Sequence, residues 1–176
     1  MMDSQWLCKT DGSGETPLTR VSRSGRMELA NIMLMQEIED DVRHIGYLPP
    51  MHRAAYWNYG DAIEDMLEDG EDPLDESPSG ETPLHLAVRL GNEWAVKALL
   101  KSGMDVNTPS ALGMTALHWA TLNGNHHLAE LLLDNGADPH AHEYVSGGLT
   151  PIKMARIMGY NDLAETLEYG AHAWYA

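Results

Sequence analysis

A chain of 176 residues with 43% hydrophobic content suits a single domain with a core of its own, and it contains no run of 18 apolar residues that would cross a bilayer. The formal net charge of −16 is unevenly spread: residues 37–76 carry 13 acidic and 2 basic side chains, a net of −11, which leaves −5 for everything else. A phosphate backbone would be repelled by such a chain and a basic partner steered in, so nucleic-acid binding is excluded as an expectation. Cys8 is the only cysteine, which rules out an intrachain disulfide and fits a reducing compartment, cytoplasmic or nuclear. Met1 to Thr10 is mixed and polar, without a signal-peptide pattern.

In chain order, residues 1–13 read as a tail that Trp6 could anchor, with Gly12-Ser13-Gly14 as a turn. From there the chain repeats itself. Gly80-Glu81-Thr82-Pro83-Leu84-His85-Leu86-Ala87 returns 33 residues later as Gly113-Met114-Thr115-Ala116-Leu117-His118-Trp119-Ala120, and its first half stands 66 residues earlier as Gly14-Glu15-Thr16-Pro17-Leu18. Gly25, Asn58, Gly91, Gly124 and Gly159 align as the central turn residue of each unit, at steps of 33, 33, 33 and 35. A tight turn between helices needs a left-handed residue, and Asn58 tolerates that conformation better than most non-glycines. The two extra residues of the last step fall in the loop around His142 to Gly148.

The first unit (14–46) has Thr19 at the repeat's histidine position, and the second (47–79) replaces the capping threonine with proline, as Pro49-Pro50-Met51-His52. The third unit (80–112) is the clearest. Thr82 is suited to a helix N-cap and Pro83 to the first helical position. A helix over Pro83–Leu90 should break at Gly91. A second, roughly Glu93–Lys101, carries the apolar Trp94, Ala95, Val96, Ala98, Leu99 and Leu100 and ends at Gly103. The fourth unit spans 113–147. The fifth (148–172) has Lys153 in place of histidine, and residues 173–176 form a tail with Trp174 and Tyr175. One helix pair cannot bury both its apolar faces, but stacked pairs can, with Ala87, Ala95 and Ala98 allowing close approach. The expected fold is therefore a solenoid held by nearest-neighbour contacts.

The phrases Thr82-Pro83-Leu84-His85-Leu86-Ala87, Leu99-Leu100-Lys101-Ser102-Gly103-Met104-Asp105-Val106-Asn107 and Leu131-Leu132-Leu133-Asp134-Asn135-Gly136-Ala137-Asp138 resemble the ankyrin repeat family. The resemblance covers about residues 14–172. It implies an all-α solenoid of about five helix–turn–helix units joined by hairpin-like loops, with the degenerate first and last units as caps. It also implies that His52, His85 and His118 bond the loop backbone and the capping threonine rather than a metal. Asn107 stands where family members can be hydroxylated.

Catalytic motifs are missing from the sequence. There is no metalloprotease helix motif, nucleophile elbow, phosphate-binding loop or dinucleotide fingerprint. The cluster His126-His127 with His140-Ala141-His142 lacks a diagnostic zinc spacing, so neither metal nor cofactor is expected. Cys8 has no fixed partner, and Ser77-Pro78 reads as a hairpin turn before it reads as a phosphorylation site. The chain is thus expected to be a non-catalytic protein–protein interaction module and a monomer on its own.

The resemblance places partner binding on a concave face and its loop tips. The helix positions are Tyr56, Trp57, Arg89, Leu90, Leu122, Asn123, Ile157 and Met158, and the loop positions are Glu81, Leu112, Met114 and Leu149. These are unusually apolar, and Trp57, Leu90, Leu122 and Met158 are expected to form a ladder. The roles open to such a module are adaptor, scaffold or inhibitor. The alternatives are masking of a basic segment of a transcription factor, as inhibitors of NF-kappa-B do, or recruiting substrates to a larger enzyme assembly.

Overall fold

The computed structural model describes residues 48–77, 80–144 and 148–173, with side chains described as far as Gly170. The expected first unit, the N-terminal tail and residues 174–176, with Cys8, Thr19, Gly25, Trp174 and Tyr175, lie outside the described residues, while Ala173, expected in the C-terminal tail, ends the last helix. Within them the chain forms four helix pairs and no strand. The first helices of the pairs are α1 (Pro50–Tyr56), α3 (Pro83–Leu90), α5 (Ala116–Leu122) and α7 (Pro151–Met158). The second helices are α2 (Gly60–Glu68), α4 (Glu93–Lys101), α6 (His126–Asp134) and α8 (Asn161–Ala173). The helices of the third unit begin and end where the sequence places them.

Each pair is made by the same local chemistry. Thr82 and Thr115 sit in extended backbone at the N-caps of α3 and α5, and each is locked to the histidine three residues on. The threonine N–H donates to the ring Nδ1 at 3.1 Å in both units. Thr150 caps α7 by accepting from the Lys153 N–H. The turn that ends each first helix is left-handed, at φ 60° for Asn58, 75° for Gly91, 61° for Gly124 and 80° for Gly159. Asn58 is the non-glycine among them, and its side-chain oxygen accepts from the Ala95 N–H in the first turn of α4. The residue that tolerates the turn thereby also ties two units together.

Stacking follows from the burial pattern. α1, α3, α5 and α7 pack on one another in order, α2 lies against α4, and α6 against α8. Ala54, Ala87, Ala120 and Ala155 hold the same place in successive first helices, and all four are fully buried. With no side chain beyond Cβ, they let the helix axes come close, while Ile63, Val96, Leu99, Leu128, Leu132, Leu163 and Leu167 of the second helices fill the space behind.

The loops keep the same register. Ser77, Ser110 and Glu143 are buried and close their hairpins by backbone bonds to Glu81, Met114 and Leu149. Ser77 also accepts the Glu81 N–H on its Oγ, which makes it a turn residue; Pro78 lies outside the described residues. The span from Glu143 to Leu149 is two residues longer than its counterparts, which locates the extra residues of the 35-residue step. Gly113 leaves room for the Tyr144 ring of the next loop, which would stand 2.7 Å from a Cβ placed there.

Candidate protein-binding face

The first helices decide which side chains reach solvent on their shared face. In α3, Pro83 to Val88 are buried and only Arg89 and Leu90 are exposed, at the turn end. Counting back from each left-handed residue sorts the expected site into two rows. Trp57, Leu90, Asn123 and Met158 stand one residue before the turn; Tyr56, Arg89, Leu122 and Ile157 stand two before it. The ladder expected from sequence therefore needs a correction. Leu122 is not in the row of Trp57, Leu90 and Met158, because one residue is a rotation of about 100° on a helix. Asn123 takes that place, and its side-chain amide donates to the Arg89 carbonyl at 2.8 Å.

Exposure along the rows is least in the first described unit and greatest in the last, with Leu122 as a half-buried interruption. Tyr56 and Trp57 are half-buried, their rings edge to face at 5.0 Å. Leu122 is half-buried, Leu90 is 42% exposed, Met158 46% and Ile157 69%. At the loop tips Leu112 is exposed and its carbonyl accepts from the Tyr144 N–H, which sets Tyr144, also exposed, beside it. Met114 is a second correction. It is buried, so its side chain is not part of an exposed surface, because the hairpin closed between Ser110 and Met114 turns it inward. Glu81 and Leu149 are half-buried.

These three loop residues share another task. The backbone carbonyls of Glu81, Met114 and Leu149 accept the Nε2–H of His52, His85 and His118 from the unit before, at 2.6, 2.8 and 3.2 Å. The imidazoles are thus staples between units, as the resemblance implies. Burial pushes each of them toward the neutral form, His85 down to about 4, with the backbone carbonyls pulling weakly the other way. His52 lacks one partner. Pro49 occupies its N-cap and has neither N–H nor hydroxyl to offer, so His52 Nδ1 is buried with no hydrogen bond.

Sequence reasoning missed three aromatic residues. Trp94, expected among the apolar packing residues of α4, is 70% exposed: its backbone and Cβ lie against Gly60 while the ring stands out beside Lys97. Tyr144 stands in the lengthened loop between Glu143 and Leu149, outside the repeating phrases. Trp119 occupies the position of Leu86 one unit earlier, a swap of aliphatic for aromatic that was visible in the repeat alignment. Its ring lies under the Arg89 guanidinium, 5.5 Å from the centroid, and Arg89 in turn pairs with Glu81 at 3.2 Å.

The electrostatics are lopsided. From Asp61 to Glu76 the chain holds nine acids and no lysine or arginine, most of them exposed. Burial, and then the neighbouring Glu68, Asp61, Asp69 and Glu64, push the Asp65 carboxyl above its ordinary range. Among the described residues no three His, Cys, Asp or Glu side chains are grouped so as to hold a metal ion.

A family model described as ankyrin repeats (3 copies) matches residues 51–143 and 108–174, well over half of the chain. The chain belongs to the ankyrin repeat family. Ankyrin repeats are generally protein–protein interaction modules. No curated protein matches the chain.

Proposed function

We propose that this ankyrin repeat chain is a non-catalytic binding module that takes a segment of a partner protein along its first-helix face and loop tips. The observation that carries the reading is the placement of Leu90, Leu112, Ile157 and Met158, apolar side chains that stand exposed at the turn ends and loop tips of the first-helix face. A chain that needed only solubility would put charge at these positions. The partner segment carries apolar anchors and a basic end, and the acids from Asp61 to Glu76 attract that end. Masking of a basic segment is favoured over substrate recruitment by that band of charge.

Replacing Leu90, Leu112 and Met158 together by serine tests the reading, because all three are exposed and the variant should fold. Affinity capture with the wild type and the variant side by side, each at low and high salt, is expected to lose its partner in the variant and to weaken as salt rises. Undiminished capture by the folded variant would refute the face. A salt-independent complex would remove the basic segment from the proposal.

A further inference from the structure

Arg89 is the exposed cation at the centre of the first-helix face, and it is held twice. Its guanidinium lies over the Trp119 ring at 5.5 Å and pairs with the Glu81 carboxylate at 3.2 Å. An aromatic face beside a carboxylate is what recognises an arginine: the planar guanidinium stacks on the ring while its edge donates to the oxygens. We infer that Glu81 and Trp119 form a guanidinium cradle, occupied in the free protein by the chain's own Arg89 and taken over by an arginine of the partner segment. The inference rests on the partner-binding reading above and names the side chain that reading leaves open.

Three observations favour exchange over a fixed structural contact. The Arg89 side chain is 39% exposed and that of Glu81 15%, so the cation stands on the solvent side of the pair, and an incoming arginine restores the same two contacts that it displaces. Trp119 packs against the core, but packing alone does not call for an indole there. The equivalent places in the neighbouring first helices are filled by Leu86 and Met154, and the indole Nε1 of Trp119 is buried without a hydrogen-bond partner, a penalty an aliphatic residue avoids. The field also has the right sign. The chain carries a net −16, and an anionic partner reaching for Arg89 would have to displace Glu81 against that charge, whereas a cation is drawn in.

The swap predicts an unusual direction: deleting the resident arginine strengthens binding. The probe is a fluorescein-labelled peptide of eight arginines, with eight lysines for comparison, titrated into the full chain at physiological salt. Arg89→Ala is expected to bind the arginine peptide about fivefold tighter than wild type. Lys153→Ala removes the same charge at an exposed position outside the cradle and gives the gain due to charge alone, which should be smaller. The lysine peptide should gain no more from Arg89→Ala than from Lys153→Ala. Adding Trp119→Leu to Arg89→Ala should abolish the extra gain, and Trp119→Phe should keep part of it, with circular dichroism reporting that each variant is folded. The indole N–H resonance of Trp119, assigned by its loss in Trp119→Phe, should move on addition of the arginine peptide. Equal gains in Arg89→Ala and Lys153→Ala, or an unmoved Trp119 resonance, would overturn the cradle. So would weaker binding by Arg89→Ala, which would make Arg89 itself the anchor. None of these outcomes touches the serine variant, whose capture result judges the face by itself.

Discussion

Histidines at repeat pitch carry two opposite readings, ligand or staple, and at this scale the hydrogen bonds choose. His85 and His118 accept from threonine on Nδ1 and donate through Nε2, a pattern that only the neutral ring satisfies. Their lowered pKa makes a pH prediction. Between the ordinary value of 6.5 and about 4, the unfolded chain takes up protons that His85 in the folded chain refuses. The stability is complete above about pH 6.5 and is lost as pH falls toward 4, on the order of 3 kcal/mol for His85 alone. The raised Asp65 works the other way and softens the low end of the fall, since its folded form gains a proton first. Urea unfolding across that range checks the slope; a flat profile would mean the rings are charged in place. Pro49→Thr should supply the missing cap and a partner for His52 Nδ1, raising stability by about 1 kcal/mol, and the gain should vanish when His52 is also replaced. At the left-handed turn, Asn58→Ala should cost about 2 kcal/mol through strain and the lost bond to the Ala95 N–H. Asn58→Gly should cost less, because only the bond is lost; equal costs would show that the backbone angle is not the constraint.

The elements differ in how far they could be read in advance. α3 and α4 were legible to the residue because Thr82, Pro83, Gly91 and Gly103 punctuate a periodic apolar pattern. Which side chains those helices expose was less legible. Trp94 reads as apolar and packs outward, since its Cβ meets Gly60, a residue with no side chain to cover the ring. The first turn of α4 is bound to the neighbouring pair through its backbone, and no local signal in the sequence announces that. α2 has the reverse character. Its apolar face holds Ala62, Ile63 and Met66 in the core, while Asp61, Glu64, Asp65 and Glu68 crowd the other side at helical spacing. The pair between Lys101 and Glu64 relieves one of these charges. The melting temperature should therefore rise with moderate salt, and neutralising Asp65 and Glu68 as Asn and Gln should remove most of that response. A melting point indifferent to salt would mean the repulsion is already relieved.

Across the whole molecule, stability is the sum of one unit's contact with the next. The column of Ala54, Ala87, Ala120 and Ala155 sets the spacing between units, so enlarging a middle member strains two interfaces at once. Ala120→Leu should cost about 3 kcal/mol or more, read from denaturant midpoints, whereas Ile157→Ala at the exposed edge should cost almost nothing. Equal costs would contradict a stacked array. By itself the sequence determined the period, the helix boundaries of the third unit and the left-handed turns, and the family resemblance implied the histidine staples. Each of these is encoded in residues a few positions apart or exactly one unit apart, so a single repeat states the rule for all. Only the tertiary structure decided that Met114 faces inward, that Trp94 stands out into solvent, and that Arg89 is shared between Glu81 and Trp119. Those outcomes depend on how far one helix is rotated against the next, which arises from packing between units and is written in none of them alone.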